Sequence, residues 1–390
     1  MRRLQSEELR EFSGALIAEM LAFKQPVALA TYAQRWLKLF PEAEDAPDVA
    51  GELLRAYPSA DSINTAVYYL TAVSNYDNLY TIFRACLDIT FNEKLHGTIE
   101  RLIERQPEAD VWGRVLFKPD MSANAHIEKL VLRWLRLNKK NPGLDVSLVA
   151  LFTSSPSVLD AILEWIDTAG RSKHIDFALD HLYRSASRID KTLMSKIAAA
   201  ARRALKGIHC NESIASIYAT IVRASGEQND IQAAKAWYQT HRGAERAWPI
   251  LAAILQVNER NQREADEFAV MEAKALLRNL PLGSIPALVG ALVKAHPDAE
   301  SVATAKITYK QTKLMWILEV LVDVAFDAEV KRFALGALEG LNGADYAHRL
   351  LSSLLRVDPQ NADVVEFANM WIEKNPLHKS VSEIKLLLAA

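Results

Sequence analysis

The sequence predicts an all-α chain arranged as an α-solenoid of about eleven stacked antiparallel helical hairpins. Three observations carry that expectation. Nine of the fourteen prolines follow one pattern, with three apolar residues at offsets 0, 4 and 7 and the proline at offset 12. Those offsets share one face of a helix, and a proline five residues past the last marks where the helix has already stopped. The stops also repeat in spacing: Pro41 to Pro58 and Pro359 to Pro376 each span 17 residues, Pro281 to Pro297 spans 16, and Pro107 to Pro142 spans 35. A helix and turn about every 17 residues makes a hairpin about every 34. Finally, apolar residues recur with the helical period almost throughout, whereas sustained period-two alternation is hard to find.

The elements follow in chain order. Residues 6–24 form the first amphipathic segment. The stripes Leu29/Ala33/Trp36, Ala46/Ala50/Leu53 and Leu95/Ile99/Leu102 close at Pro41, Pro58 and Pro107. Residues 124–138 carry Leu130/Trp134/Leu137 ahead of Pro142, and Leu144/Leu148/Leu151 precede Pro156. Between 157 and 248 the closing prolines lapse, and helices over 175–187, 190–206 and 211–225 rest on periodicity alone. In the last of these, Asn211 reads as an N-cap ahead of Ile214, Ile217, Tyr218, Ile221 and Val222. The stripes resume with Ala269/Ala273/Leu276 before Pro281 and Ile285/Val289/Leu292 before Pro297. Residues 301–310 are rich in β-branched side chains, yet a lone strand would have nothing to pair with, so helix is expected there too. Helices over 313–326 and 327–341 precede the final stripes, Ala347/Leu351/Leu354 and Val364/Ala368/Trp371, which close at Pro359 and Pro376. Roughly twenty-two helices of about 11 to 18 residues are expected.

At 390 residues the chain is long enough for several ordinary domains. Stacked hairpins need only their neighbours, so one continuous body over 1–390 is expected, with sub-regions 1–156, 157–260 and 261–390. The formal charge of −2 and pI near 6.5 imply no general attraction to nucleic acid or anionic membranes. Cys86 and Cys210 are far apart and lack CxxC spacing, which argues against a disulfide framework or structural zinc and fits a reducing compartment. The first residues turn acidic where a secretory signal needs an apolar core, and no 18-residue uncharged apolar run exists, so a cytoplasmic, non-membrane protein is expected. There is no GxGxxG, GxxxxGK[ST], HExxH or GxSxG motif, so no cofactor or metal is expected.

One segment carries a resemblance. Residues 331–362 contain Ala334-Leu335-Gly336, Gly343-Ala344-Asp345-Tyr346-Ala347, Leu351, Leu354 and Val357-Asp358-Pro359-Gln360-Asn361-Ala362. This resembles a tetratricopeptide repeat, with HEAT-like packing as the near alternative. The resemblance implies a non-enzymatic scaffold that holds a protein or peptide partner in a superhelical groove. A helical-repeat protein that binds nucleic acid is an alternative, and so is an all-α enzyme whose site is assembled from distant residues.

Candidate contact residues come from two kinds of cluster. Asn64, Tyr68, Asn75 and Asn78 lie in the stretch richest in Asn and Tyr. Amides that both donate and accept, beside rigid aromatics with polar tips, suit a peptide backbone; the same residues also serve as caps and core. Arg133 and Arg136 flank Trp134, with Lys140 following, and Arg202, Arg203 and Lys206 form a second basic cluster. Either cluster suits phosphates or an acidic peptide, and either also complements a helix C-terminus. The dipeptide His209-Cys210 lacks the neighbouring base that a thiol nucleophile requires.

Overall fold

The computed structural model describes residues 7–23, 27–72, 76–89, 92–116, 125–153, 155–169, 174–189, 192–208, 210–242, 247–280, 285–341 and 343–389. Among the described residues there are twenty-three α-helices and no strand. They fall into two compact units, Met1–Ile208 and His209–Ala390.

The first unit holds α1 (Glu7–Ala22), α2 (Val27–Leu39), α3 (Ala46–Ala56), α4 (Ala60–Ala72), α5 (Tyr80–Asp88) and α6 (Glu93–Arg105). It continues with α7 (Val111–Val115), α8 (Ala125–Leu137), α9 (Ser147–Phe152), α10 (Pro156–Ala169), α11 (Ile175–Ile189) and α12 (Leu193–Ala204). Apart from α2, each helix packs on the one two places along. α1, α3, α5, α7, α9 and α11 form one row in sequence, and α4, α6, α8, α10 and α12 form another. Close approach is achieved with small residues. A Cβ on Gly51 of α3 would lie 2.8 Å from the Thr81 carbonyl carbon and 2.9 Å from the Ile82 nitrogen of α5, so glycine is what lets these backbones meet.

The second unit holds α13 (Asn211–Ser225), α14 (Gln228–Thr240), α15 (Trp248–Arg260), α16 (Glu267–Arg278), α17 (Pro286–Ala295) and α18 (Ala299–Thr312). It ends with α19 (Met315–Val324), α20 (Ala328–Leu341), α21 (His348–Val357), α22 (Ala362–Lys374) and α23 (Val381–Ala389). The odd-numbered helices α13 to α23 pack in sequence as a row, while their even-numbered neighbours pack weakly on one another, with α20 and α22 the closest pair. The β-branched stretch 301–310 is helical, inside α18. Asn211 is the first helical residue of α13 rather than its cap; Cys210 holds the capping position, with extended backbone. The other end of α13 closes on Gly226, whose φ of 63° suits glycine and whose N–H donates to the Val222 carbonyl at 2.9 Å.

Most of the proline-stopped stripes are core. Ala46, Ala50 and Leu53, then Leu95, Ile99 and Leu102, and later Val364, Ala368 and Trp371 are all buried. Each large side chain so buried contributes at most about 1.5–3 kcal/mol. Other stripe positions are less enclosed: Leu29, Leu151 and Leu276 are half-buried, and Leu137, at the end of α8, is 48% exposed. Carbonyls in the turns also set the joints between neighbours. Trp134 Nε1 donates to the Pro107 carbonyl at 3.0 Å and Asn138 Nδ2 donates to the same oxygen at 2.8 Å. In the second unit Trp371 Nε1 donates to the Ala344 carbonyl and Asn375 Nδ2 to the Gly343 carbonyl, each at 3.0 Å. Tyr69 repeats the idea through its hydroxyl, which donates to the Pro41 carbonyl at 3.0 Å.

Ion pairs link the even-numbered helices of the second unit. Lys235 of α14 meets Asp266 at 2.5 Å, Lys274 of α16 meets Asp298, Lys306 of α18 meets Asp327 at 2.5 Å, and Lys331 of α20 meets Asp358 at 2.8 Å. Asp266, Asp298 and Asp327 stand at the start of the next even-numbered helix, whereas Asp358 ends α21 and the start of α22 is capped by Asn361. Asp266 and Asp298 cap α16 and α18 by accepting from the Ala269 and Ser301 N–H groups, and Asp327 accepts from Val330 N–H at the start of α20. A carboxylate at a helix start is therefore held from both sides, by the N–H groups of its own helix and by the lysine of the preceding one.

Candidate functional site

The Asn- and Tyr-rich segment divides on folding. Tyr69 is buried, and burial pushes its hydroxyl up to about 12, with the neighbouring Tyr68 adding to the shift. Tyr68, one residue earlier on α4, turns outward and is 52% exposed. The two rings meet edge to face at 5.2 Å, so the exposed ring rests on one anchored through its hydroxyl to Pro41. Tyr68 lines a cleft of about 370 Å³ between α2 and α4, together with Lys38, Asp61, Asn64 and Thr65. Asn64 is exposed, and its Oδ1 accepts from Lys94 Nζ of α6 at 2.6 Å. Asn78 is exposed on the 3-10 turn Tyr76–Leu79 and is not among the residues lining this cleft. Asn75 lies outside the described residues.

The basic clusters are already engaged in part. Arg133 of α8 is half-buried between Glu100 and Glu104 of α6, with Nη1 2.8 Å from Glu100 Oε1. Arg203 of α12 makes a two-pronged contact with Asp167 of α10, at 2.9 Å from Nε and 2.7 Å from Nη2. Arg202 is half-buried, and Arg136 and Lys206 are exposed. Arg133 and Arg203 therefore stitch neighbouring helices together.

Two further clefts have no counterpart in the sequence reading. One, of about 480 Å³ in the first unit, is lined by Glu108, Asp110, Arg114, Trp134, Asp145 and His174, with His174 Nδ1 4.0 Å from Asp145 Oδ2. Among the described residues no group of three or more His, Cys, Asp or Glu is placed to hold a metal ion. The other, of about 430 Å³ in the second unit, lies between α19 and α21, with Lys294 of α17 and Glu383 of α23 at its margins. Glu319 and Asp323 face it from α19, and Arg349, Ser352, Ser353 and Arg356 from α21. Burial raises the Glu319 carboxyl pKa above the ordinary range; Asp323 adds to this, whereas Arg349 and His348 oppose it. The one trace in the sequence is a pair of serines set between the leucine pairs of α21, a polar break in a helix that otherwise packs as core.

The two cysteines differ sharply. Cys86 is buried, and burial pushes its thiol up to about 12. Cys210 is exposed, and the backbone N–H groups of Ser213 and Glu212 in the first turn of α13 hold its thiol below the usual value.

No family model matches the chain, and no curated protein matches it. Among the described residues no helix is long and apolar enough to cross a membrane.

Proposed function

We propose that the chain is a cytoplasmic, non-enzymatic α-solenoid of tetratricopeptide-like or HEAT-like hairpins that binds a protein partner through an extended peptide segment. The observation that carries this reading is the cleft between α2 and α4. Tyr68 offers a rigid, half-exposed ring beside the Asn64 amide, which can both donate to and accept from a peptide backbone. The rows formed by the odd-numbered helices of each unit support the solenoid, because stacked hairpins bring alternate helices together. The ion pairs of Arg133 and Arg203 favour a protein partner over nucleic acid, since both guanidinium groups are already neutralised in place.

The test is affinity capture with the wild-type chain and with Tyr68→Ser, a change at an exposed position that leaves the far-ultraviolet circular dichroism unaltered. One stoichiometric protein partner, retained by the wild type and lost by the variant, is the expected result. Steeply salt-dependent binding to duplex DNA or RNA, abolished by Arg202→Ala, Arg203→Ala and Lys206→Ala together and indifferent to Tyr68→Ser, overturns it.

A further inference from the structure

The cleft between α19 and α21 has walls of opposite character. Glu319 and Asp323 are four residues apart on α19 and share one face of that helix. Arg349, Ser352, Ser353 and Arg356 stand at offsets 0, 3, 4 and 7 on α21 and share the facing one. Arg356 is drawn toward Glu383, at 3.7 Å, and Lys294 toward Glu259, at 3.1 Å. Glu319, Asp323 and Arg349 are different. Arg349 acts on Glu319 electrostatically, yet among the described residues none of these three makes an ion pair. The cleft holds the opposite charges apart.

Ser352 adds a second, independent sign. It lines the cleft, is only 3% exposed, and its Oγ has no hydrogen-bond partner. A buried hydroxyl left unpaired carries a desolvation cost that a bound polar group removes. The volume suits a small molecule rather than a folded partner.

We propose that this cleft binds a small zwitterion, its ammonium group between Glu319 and Asp323 and its carboxylate against Arg349 and the Ser352 hydroxyl. Such a ligand bridges the two walls, relieves the like-charge pair on α19 and supplies the partner that Ser352 lacks. This site lies in the second unit and stands independently of the peptide cleft on α4.

The probe is 6-aminohexanoate, whose ammonium and carboxylate are carried on one flexible chain, titrated into the full-length chain by calorimetry and by thermal shift at constant ionic strength. Pentylamine and hexanoate, each carrying one of the two charges, are the controls. Saturable binding and a rise in melting temperature with 6-aminohexanoate are expected, with neither control producing them. Asp323→Asn and Arg349→Gln alter exposed positions and keep the wild-type circular dichroism, and each is expected to weaken binding at least tenfold. Ser352→Ala is expected to weaken it several-fold. Equal responses to the zwitterion and to either control, wild-type affinity in both exposed variants, or no binding at millimolar probe overturns the proposal.

Discussion

The indole of Trp134 and the carbonyl of Pro107 are 27 residues apart in the chain and 3.0 Å apart in the fold. Asn138, one turn further along α8, donates to the same oxygen. In the second unit the corresponding donors, Trp371 and Asn375, reach two different carbonyls. This difference sets the energetics. Trp134→Phe or Asn138→Ala leaves Pro107 with one donor and costs about 1–2 kcal/mol, whereas the double variant leaves the oxygen with neither. Denaturant unfolding of the four-variant cycle should give a coupling of at least about 0.5 kcal/mol. The cycle at Trp371 and Asn375 should be closer to additive.

Gly51→Ala tests the contact between α3 and α5. In an unobstructed helix this change stabilises by about 1 kcal/mol. Here the new methyl meets the Thr81 and Ile82 backbone at under 3 Å, and overpacking of this kind costs about 1–3 kcal/mol. A net loss of roughly 1–2 kcal/mol in urea unfolding is expected. A gain would show that the two backbones part without penalty.

Acid should loosen the second unit through its lysine–aspartate links. Asp298, Asp327 and Asp358 all have depressed carboxyl pKa values, with the lysine of the preceding even-numbered helix the largest cause in each case. A depressed folded-state pKa contributes stability that is fully present above the unfolded value, about 3.9, and is lost as pH falls through the folded one. Melting temperature should therefore drop below about pH 4, and less steeply in the Asp298→Asn/Asp327→Asn/Asp358→Asn variant. Asparagine still caps at 298 and 327, and Asp358 caps no helix start, so the two effects separate. Identical acid profiles for wild type and variant would refute the assignment.

Thiol chemistry should distinguish the two cysteines. A disulfide reagent should titrate one equivalent, Cys210, in the native chain and a second, Cys86, after denaturation. The native reaction should reach half its limiting rate at a pH below that of free cysteine. Two equivalents reacting natively would contradict the burial of Cys86.

Much of the fold is legible in the sequence because a proline leaves an unambiguous mark. Each of the nine striped helices ends before its proline, and the stretch 301–310 is helical despite its β-branched residues. The joints between helices are less legible. The four lysine–aspartate links join residues 31, 24, 21 and 27 apart, so no fixed period announces them. Tyr68 and Tyr69 are adjacent and chemically alike, and only the helix phase sends one to the core and the other to solvent. The cleft on α21 draws on α17, α19 and α23 as well, and Glu319 and Arg349 become neighbours only when α19 and α21 pack.

The lysine–aspartate links have a mechanical consequence. The odd-numbered helices of the second unit are joined by apolar contact, which salt hardly weakens, whereas the even-numbered ones are joined by charges that salt screens as well as by rings, Tyr238 against Phe268 and Tyr309 against Phe333. Raising the ionic strength is expected to weaken the charged links while leaving the apolar contacts of the odd-numbered helices in place. The even-numbered edge is therefore expected to be the more salt-sensitive of the two, with its ring contacts limiting how far it can open.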